Sequence, residues 1–370
     1  MKPMKRNFRE KSLALVTLAM LILLGSITAR RANAGAAPDE RGRVIAVSTT
    51  IQAAVDVARP GDTVLVRPGT YSENVSVTKD NITIRGSRGA TMDGTGLAGN
   101  TGIRVAPVAP ATRIRGFSLS GLTIKNYSRN GVFLSRVDDF RVSQGRYVDN
   151  DEYGVFPIFS SGGLIDLNQV SGSNDTGIYV GQSSNVVIEK NQTQGCTLGI
   201  EIENSTNIAI RENTSSDNSI GIVVQLLPGL FRTATSDVSV SKNVLIGNNR
   251  PNPSTDPGDL LSLLPSGVGF FNVAGDRVNV RENIVLSNNS VGILVAQLPP
   301  ALAALDPRIN PLPDNNEIRD NVVLQNGRHP DPKLGPFPGS DLLWDFSGAG
   351  NCWANNVFST AFPAPLPFCT

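Results

Sequence analysis

The stretch that decides the fold spans residues 174–224 and reads NDTGIYVGQSSNVVIEKNQTQGCTLGIEIENSTNIAIRENTSSDNSIGIVV. Two patterns alternate in it: a glycine that opens a short run of alternating apolar residues, and an asparagine that closes a second such run. Both return every 22 or 23 residues, and self-similarity at a fixed period of this length is typical of a repeat architecture. Working outward, the glycine series comprises Gly131, Gly154, Gly177, Gly199, Gly221, Gly267 and Gly292.

The short runs inside each repeat indicate β-strands. Apolar side chains such as Ile200 and Ile202 alternate with other residues at a period of two, which is the period of a strand. One repeat cannot bury its apolar face alone, so repeats must stack, with equivalent strands pairing in parallel. The sequence therefore predicts an all-β fold, a parallel β-helix solenoid of roughly ten to twelve coils.

The asparagine series predicts a ladder along the stack. Asparagine tolerates the left-handed backbone conformation of turns, and its amide can also form hydrogen bonds. One asparagine per coil would place amides about 4.8 Å apart, the spacing between strands. The predicted structural ladder consists of Asn168, Asn191, Asn213, Asn243, Asn283 and Asn321.

Both ends of the solenoid carry signs of a cap. A short helix from Thr49 to Ala58, with Thr49 and Gln52 as a capping box, is predicted to cover the first coil. The segment 69–73, GTYSE, resembles the first motif of pectin esterases, and we interpret it as structural. Cys352 and Cys369 close a short C-terminal segment and are expected to form a disulfide in an exported protein. Cys196 is interpreted as a buried structural thiol.

Composition and charge limit the cellular location and the possible binding partners of the protein. Residues 1–34 have a basic start, an apolar run and the small-x-small site Ala32-Asn33-Ala34, so they predict an export signal and leave no stable membrane span after cleavage. The remainder has 26 basic and 31 acidic residues, a net charge of −5, which does not favour nucleic-acid binding. We expect a periplasmic or extracellular protein with a linker at 35–48, a β-helix at 49–342, and a final rung with a disulfide-closed tail at 343–370.

One outward position per coil suggests a ligand site. Parity along the glycine strands places Phe133, Phe156, Tyr179 and Glu201 on the outer face of successive coils. Aromatic faces can stack on sugar rings and a carboxylate can accept hydroxyl hydrogen bonds, so these residues are the candidate ligand-binding site. The alternative is that a loop or the C-terminal tail covers the stripe. Four Pro-rich insertions, at 226–236, 249–265, 298–314 and 327–341, either wall a groove or only decorate the coils.

A metal site has weaker support in the sequence. Asp149, Asp151 and Glu152 supply alternating oxygens that begin like a calcium loop, but Tyr153 and Ser160 stand where further ligands are expected. We interpret this segment as a solvated turn. We expect no cofactor, and Ca²⁺ is the one metal considered. His329 is the only histidine, so catalysis by a serine–histidine–aspartate triad or by a histidine-ligated metal cannot be assembled elsewhere. The catalytic residues stay unknown at this level.

The repeats GIYVGQSSNVVIEKN, GIEIENSTNIAIREN and GIVVQLLPGL, with the ending GNCWANNVFSTAFPAPLPFC, resemble secreted parallel β-helix repeat proteins. This family lies within the right-handed superfamily that includes pectate lyases, alginate epimerases and NosD-like periplasmic proteins. The resemblance covers residues 44–370 and implies a single-stranded right-handed β-helix and export, without an established activity. An Asp-Pro-His-Asp motif, typical of alginate epimerases, is replaced by GVFPI at residues 154–158.

Three functions remain open on this basis. The first is a non-catalytic exported protein that binds a polysaccharide or an envelope protein along one face. The second is a polysaccharide-active lyase or epimerase that uses acidic and tyrosine side chains in a groove. The third is a NosD-like periplasmic accessory protein. Outward carboxylates that converge within about 5–10 Å would favour an enzyme, because paired catalytic carboxylates use such separations.

Overall fold

A computed structural model describes residues 42–256 and 258–370. The predicted export signal at 1–34 lies outside the described residues. The chain winds as a parallel β-helix with three strands per coil, which confirms the predicted fold class. Every strand pairing in the three sheets is parallel; in the register of the central coils, for example, Ile178 pairs with Ile200 and Ile200 with Ile222. None of the helices in the described part of the chain has the length and apolar character needed to cross a bilayer.

The first sheet has 14 strands. In chain order they are Val44–Ala46, Thr63–Val66, Thr83–Gly86, Ile114–Arg115, Ser118–Ser120, Val137–Asp138, Arg141–Ser143, Ser161–Asp166, Ser184–Glu189, Thr206–Arg211, Ser236–Ser241, Asn279–Arg281, Glu317–Arg319 and Cys352–Ala354.

The second sheet has 11 strands, each of them short. They are Gly69–Tyr71, Ala90–Asp93, Thr123–Lys125, Arg146–Val148, Gln169–Ser171, Gln192–Gln194, Thr214–Ser216, Val244–Ile246, Ile284–Leu286, Val322–Leu324 and Val357–Phe358.

The third sheet also has 11 strands and contains the glycine strands of the repeat. They are Val75–Val77, Thr101–Val105, Asn130–Ser135, Tyr153–Ile158, Thr176–Gly181, Leu198–Glu203, Ile220–Gln225, Val268–Val273, Val291–Ala296, Ser340–Trp344 and Ala361–Phe362.

The β-helix extends beyond the limits that the sequence suggested. The strand Val44–Ala46 lies in the segment predicted to be a linker, and it pairs with Thr63–Leu65. At the other end, the segment 343–370, for which a final rung was predicted, contains strands as far as Phe362. The register also replaces Gly267 in the glycine series by Gly269, because Ile220 pairs with Val268. Gly267 instead forms the turn before the strand, with φ +81°. Periodicity cannot locate a strand of only three residues, such as Val44–Ala46. It also cannot decide which glycine of the run Gly267-Val268-Gly269 belongs to the series.

The N-terminal helix spans Ile51–Val57, and its N-cap is Thr50 rather than the predicted Thr49. The Thr50 hydroxyl accepts from the backbone N–H of Ala53 at 3.1 Å. The carboxylate of Glu73, which ends the GTYSE segment, accepts from the N–H groups of Ile51 and Gln52 at 2.7 and 2.9 Å. The segment therefore has a structural role, since it satisfies free donors at the start of the helix.

The predicted asparagines form a continuous ladder. The Nδ2 amide of each donates to the Oδ1 of the next at 2.9–3.0 Å from Asn168 to Asn321, and Asn356 adds a further rung. The left-handed conformation is found at the residue before each rung, such as Lys190 and Glu212, and not at the asparagine as predicted. The corner therefore bends at the preceding residue, and this leaves the asparagine side chain free to point along the stack.

A second ladder runs along the corner between the second and third sheets. It comprises Asn218, Asn248, Asn288, Asn326 and Asp341, with Nδ2–Oδ1 distances of 2.9–3.1 Å. Cys196 occupies one earlier rung: it is buried and unpaired, and its backbone N–H donates to Asn218. Burial raises the pKa of the Cys196 thiol to about 11. The thiol is thus a packed structural group and a poor nucleophile.

A candidate carboxyl-lined cleft

A cleft of about 430 Å³ lies on the outer face of the third sheet. Its floor comes from successive coils between residues 175 and 345, and its walls come from the insertions near residues 227, 260–265, 297–302 and 333–337. All four Pro-rich insertions thus contribute to one cleft. This arrangement favours the groove interpretation of the insertions over simple decoration.

One end of the cleft is a cluster of polar side chains from four successive coils, which we call the carboxyl cluster: Tyr153, Asp175, Thr176, Tyr179, Glu201, Glu203 and Gln225. The parity of the strands explains why these side chains meet. Glu201 and Glu203 are alternate residues of Leu198–Glu203, whose intervening Ile202 points into the core. Register places Tyr179 beside Glu201, and Gln225 beside Glu203.

The hydrogen bonds inside the cluster connect its carboxyl groups. The Thr176 hydroxyl lies 2.9 Å from Asp175 Oδ1 and 2.6 Å from Glu201 Oε2. Since both contacts end at the same hydroxyl oxygen, the two carboxyl oxygens are no further apart than the sum of these lengths, 5.5 Å. The Gln225 amide donates to Glu201 at 2.7 Å, and the Tyr179 hydroxyl donates to Glu203 at 2.6 Å.

Burial controls the protonation of these groups. Glu201 and Glu203 are 5% and 8% exposed, and no Lys or Arg of the described residues forms an ion pair with either of them or with Asp175. Burial raises the pKa of Asp175 to about 6 and that of Glu203 to about 7. Burial and the charges of Asp175 and Glu203 raise the pKa of Glu201 well above its ordinary range.

The tyrosines of the cluster are held in their neutral form. Burial raises the pKa of Tyr153 and Tyr179 well above the ordinary value, and neighbouring carboxyl charges add to the effect. The two rings stack with centroids 5.1 Å apart and planes 20° from parallel. At neutral pH the cluster therefore offers neutral O–H donors beside at least one ionised acceptor.

The four predicted ligand residues are contiguous but are not equivalent. Phe133 and Phe156 are half-buried, 5.2 Å apart between ring centroids, and lie outside the cleft lining. The Phe156 ring lies 4.5 Å from that of Tyr179. Tyr179 and Glu201 line the cleft, where the loop walls bury them, so this part of the stripe is covered by loops, as in the second of the two alternatives that the sequence left open.

Sequence reasoning missed Asp175, Glu203, Gln225 and the role of Tyr153. Glu203 and Gln225 share the outward parity of Glu201 and lie two residues further along their strands, so the same argument extended by one step would have found them. Asp175 comes just before a strand, at a corner, where parity gives no information. Tyr153 is the first residue of its strand and is aligned with Thr176 in the next coil.

The side chains of the calcium candidates have other contacts in the structure. Glu152 pairs with Arg129 at 2.7 Å, and Asp151 accepts from the Asn174 amide at 2.6 Å. Asp149 is exposed, with φ 51°. Across residues 42–256 and 258–370, no three His, Cys, Asp or Glu side chains are grouped so that they could hold a metal ion. The local contacts are those of a solvated turn.

Comparisons with known proteins agree with the fold. A family described as "Periplasmic copper-binding protein (NosD)" matches residues 55–260. The chain is similar in structure to the mannuronan C-5 epimerase AlgE4 A-module of Azotobacter vinelandii, with a TM-score of 0.60, 15% identity, and coverage of 85% of this chain and 93% of that one. No curated protein matches the sequence.

Two further solved structures share the architecture. DFA-IIIase from Arthrobacter chlorophenolicus A6, without its lid and in complex with GF2, has a TM-score of 0.56 at 15% identity, and the match covers 84% of this chain and 85% of that one. The periplasmic alginate epimerase AlgG has a TM-score of 0.51 at 15% identity, with coverage of 80% and 77%. At this level of identity the likeness concerns the fold alone.

Proposed function

The chain belongs to the family described as periplasmic copper-binding protein (NosD), and from this premise we propose that it is an exported binding protein that takes up an uncharged saccharide at the carboxyl cluster. The main support for this proposal is that three carboxyl groups, two tyrosines and an amide converge at one end of a cleft walled by loops. Ligand sites commonly have this form, a concave surface with a few polar groups that fix orientation.

The chemistry of the cluster matches sugar hydroxyls. Ionised carboxylates only accept hydrogen bonds, whereas protonated carboxyls and tyrosine hydroxyls also donate them. Neutral Glu201 and Tyr153 could therefore donate hydrogen bonds to a sugar hydroxyl, and ionised Asp175 could accept one from it. The tyrosine rings add an aromatic surface on which a sugar ring could lie. One of the structural neighbours is named a mannuronan C-5 epimerase and another an alginate epimerase, which supports a saccharide as the class of ligand in this fold.

The charge of the cleft disfavours a polyuronate. Asp175, Asp259 and Asp345 line it together with Glu201 and Glu203, whereas Lys333 is the only cationic residue among its described lining residues. An anionic sugar chain would meet the ionised Asp175, which has no cation partner among the described residues, and like charges in a low-dielectric site repel strongly. This argues against the lyase or epimerase alternative on uronates and for a ligand without negative charge.

A second candidate function is a saccharide-active enzyme. Asp175 and Glu201 share the Thr176 hydroxyl, so Asp175 Oδ1 and Glu201 Oε2 lie within 5.5 Å of each other; the paired carboxyls of retaining glycosidases are also close together, about 5–5.5 Å apart. Pairs of carboxyls whose environments separate their pKa values serve as acid and base. In this alternative Glu201 would be the proton donor and Asp175 the ionised nucleophile.

Copper binding, which the family description names, does not fit the side chains described. Copper prefers thiolate, thioether and imidazole ligands. Here Cys352 and Cys369 form a disulfide, and Cys196 and Met92 are buried in the core. Among its described lining residues the cleft has no His, Cys or Met; its polar side chains are carboxyl, phenol, amide and lysine groups. The accessory role in copper handling therefore has no support from the donor groups of this cleft.

The proposal is tested with the mature chain from Gly35, against matched panels of uncharged oligosaccharides and oligouronates by calorimetry. We expect binding from the uncharged panel, and at least tenfold weaker binding after Glu203→Ala, because a hydrogen bond to a charged group contributes about 1.5–3 kcal/mol. Glu282→Ala is the control, since this side chain is exposed and pairs with Lys242 at 3.6 Å. Preference for oligouronates, or equal loss in both variants, would contradict the proposal.

Product analysis of the same mixtures separates binding from catalysis. New reducing ends that disappear in Glu201→Gln, with binding retained, would establish the enzyme alternative. Growth of the absorbance of unsaturated uronates would instead support a lyase. Saccharide that is bound and recovered unchanged supports the binding function.

A further inference from the structure

The cleft continues beyond the carboxyl cluster as an aliphatic chamber. Its floor carries Leu198 and, three and four coils further along the sheet, Leu294 and Leu343. Its walls carry Leu264, Leu298 and Phe337 from three insertions. Saccharide hydroxyls have no partner on such a surface. The aliphatic chamber is therefore the part of the site that the proposed function does not use.

Packing of the insertions onto the sheet does not by itself account for this chamber. Leu198, Leu298 and Leu343 are each 1% exposed and do form a core between the loops and the sheet. Protein interiors, however, contain few voids larger than a water molecule, whereas the whole cleft, with the carboxyl cluster at one end and these side chains beyond it, measures about 430 Å³. That volume lies within the range of about 300–1,000 Å³ typical of small-molecule sites.

The rim of the chamber is also aliphatic. Leu260 and Leu263 lie on the one-turn 3-10 helix Leu260–Leu263, line the cleft, and are 40% and 49% exposed. Large apolar side chains at the mouth of an apolar chamber are partly in contact with water. Covering them with an apolar ligand removes this surface from water, which is favourable. The chamber opens onto the same cleft as Glu201 and Glu203, so one molecule can occupy both ends.

We propose that the ligand is an amphiphile, a saccharide without negative charge that carries an aliphatic chain, with its sugar at the carboxyl cluster and its chain in the aliphatic chamber. This inference rests on the proposed saccharide site and names its substrate class. Free anionic amphiphiles are disfavoured for the reason given for uronates. The ligand class is therefore alkylated or acylated neutral glycans, including glycolipids.

The test is calorimetry with the mature chain and a series of alkyl β-glucosides from methyl to octyl, each below its micellar concentration. Affinity is expected to rise about two- to fourfold per methylene, since burial of one methylene contributes about 0.8 kcal/mol at most. Leu263→Asp should weaken octyl glucoside at least tenfold and leave methyl glucoside unchanged. Leu305→Asp is the matched control, because Leu305 is 70% exposed and does not line the cleft.

Two outcomes overturn the inference and are distinguishable. Equal affinity for methyl and octyl glucoside would show that the aliphatic chain does not bind in the chamber, and would not contradict the saccharide site. Equal affinity for octanol and octyl glucoside would show that the sugar contributes nothing, which overturns the saccharide site as well. Octanoate serves as the anionic probe, and tighter binding of octanoate than of octyl glucoside also contradicts the proposal.

Discussion

At the scale of single residues, Glu203 links the carboxyl cluster to stability. Its carboxyl group is buried and accepts a hydrogen bond from Tyr179, yet no described cation balances its charge. Burial raises its pKa in the folded protein from 4.5 to about 7. The folded state therefore binds a proton where the unfolded state has released one, and the free energy of unfolding falls as pH rises from about 4.5 to about 7.

Glu203→Gln should remove part of this dependence. The amide keeps an acceptor for the Tyr179 hydroxyl but does not ionise, so the variant should be more stable than the parent at pH 8 and similar at pH 4.5. One pKa unit corresponds to about 1.4 kcal/mol, and we expect a gain of about 1–3 kcal/mol. Urea denaturation at both pH values measures it, with Glu282→Gln as the exposed control. Equal slopes in parent and variant would show that Glu203 does not titrate as described.

The asparagine ladder gives a second residue-scale prediction. The Asn191 side chain accepts from Asn168 and donates to Asn213, and it is 1% exposed. Asn191→Ala removes these bonds and leaves buried donors and acceptors unsatisfied, at about 1–3 kcal/mol for each such group. We expect a total loss of about 2–4 kcal/mol by chemical denaturation. Gln192→Ala, one residue on and exposed, should change stability by less than about 0.5 kcal/mol, and a similarly small loss for Asn191→Ala would refute the ladder.

The period of these residues is what made the fold predictable. One asparagine per coil requires coils of nearly constant length, and the spacing of Asn168, Asn191 and Asn213 gives that length directly as 22 or 23 residues. The backbone conformation was less accessible, because the left-handed residue is Lys190 or Glu212, types that rarely adopt it. Only the three-dimensional corner shows that a charged, exposed side chain makes the bend so that the asparagine can point inward.

At the scale of secondary structure elements, the N-terminal helix depends on a distant carboxylate. Helix Ile51–Val57 has two turns, too short to be stable alone. Glu73 accepts from its first two N–H groups, and the Thr50 hydroxyl accepts from Ala53. The helix is thus attached to the first coil through its N-terminus, which protects the apolar face of residues 51–55 and the open end of the sheet.

Glu73→Ala should loosen this cap. Two donors lose their acceptor and the helix loses a favourable negative charge, so we expect a loss of about 1–2 kcal/mol. Hydrogen exchange should accelerate at residues 51–58 and little elsewhere. Asp56→Ala on the exposed side of the same helix is the control. Uniform acceleration over the whole chain in Glu73→Ala would indicate global destabilisation and contradict a local cap.

At the scale of the whole molecule, the cleft depends on residues far apart in sequence. The insertions at 226–236 and 298–314 are joined, since Asp306 accepts from the N–H of Gly229 at 2.9 Å and Arg308 donates to the carbonyl of Leu230 at 3.0 Å. Periodicity shows where each loop leaves the coil, but loop–loop contacts have no period. The sequence therefore predicts which face of the sheet carries Glu201. It does not predict that four loops enclose this face.

The C-terminal end of the solenoid is closed by the predicted disulfide, which the structure confirms between Cys352 and Cys369. Cys352 lies on the last strand of the first sheet, and the returning tail bonds to that strand: the Trp353 N–H donates to the Pro367 carbonyl at 2.8 Å, and the Cys369 N–H donates to the Trp353 carbonyl at 3.3 Å. The tail thus covers Trp353, which is 5% exposed and would otherwise lie at an open edge. Open edges of stacked sheets pair readily with other chains.

The double change Cys352→Ser and Cys369→Ser should therefore have two effects. Stability should fall by about 3 kcal/mol, the loop-entropy value for a loop of about this length, and the released tail should expose the last coil to self-association. Denaturation with and without reductant measures the first effect, and gel filtration over a concentration series measures the second. Cys196→Ala serves as control, because its thiol is unpaired and reductant should affect this variant as it affects the parent. If the double variant keeps parental stability and remains unassociated, backbone pairing alone holds the tail and the disulfide is dispensable for the cap.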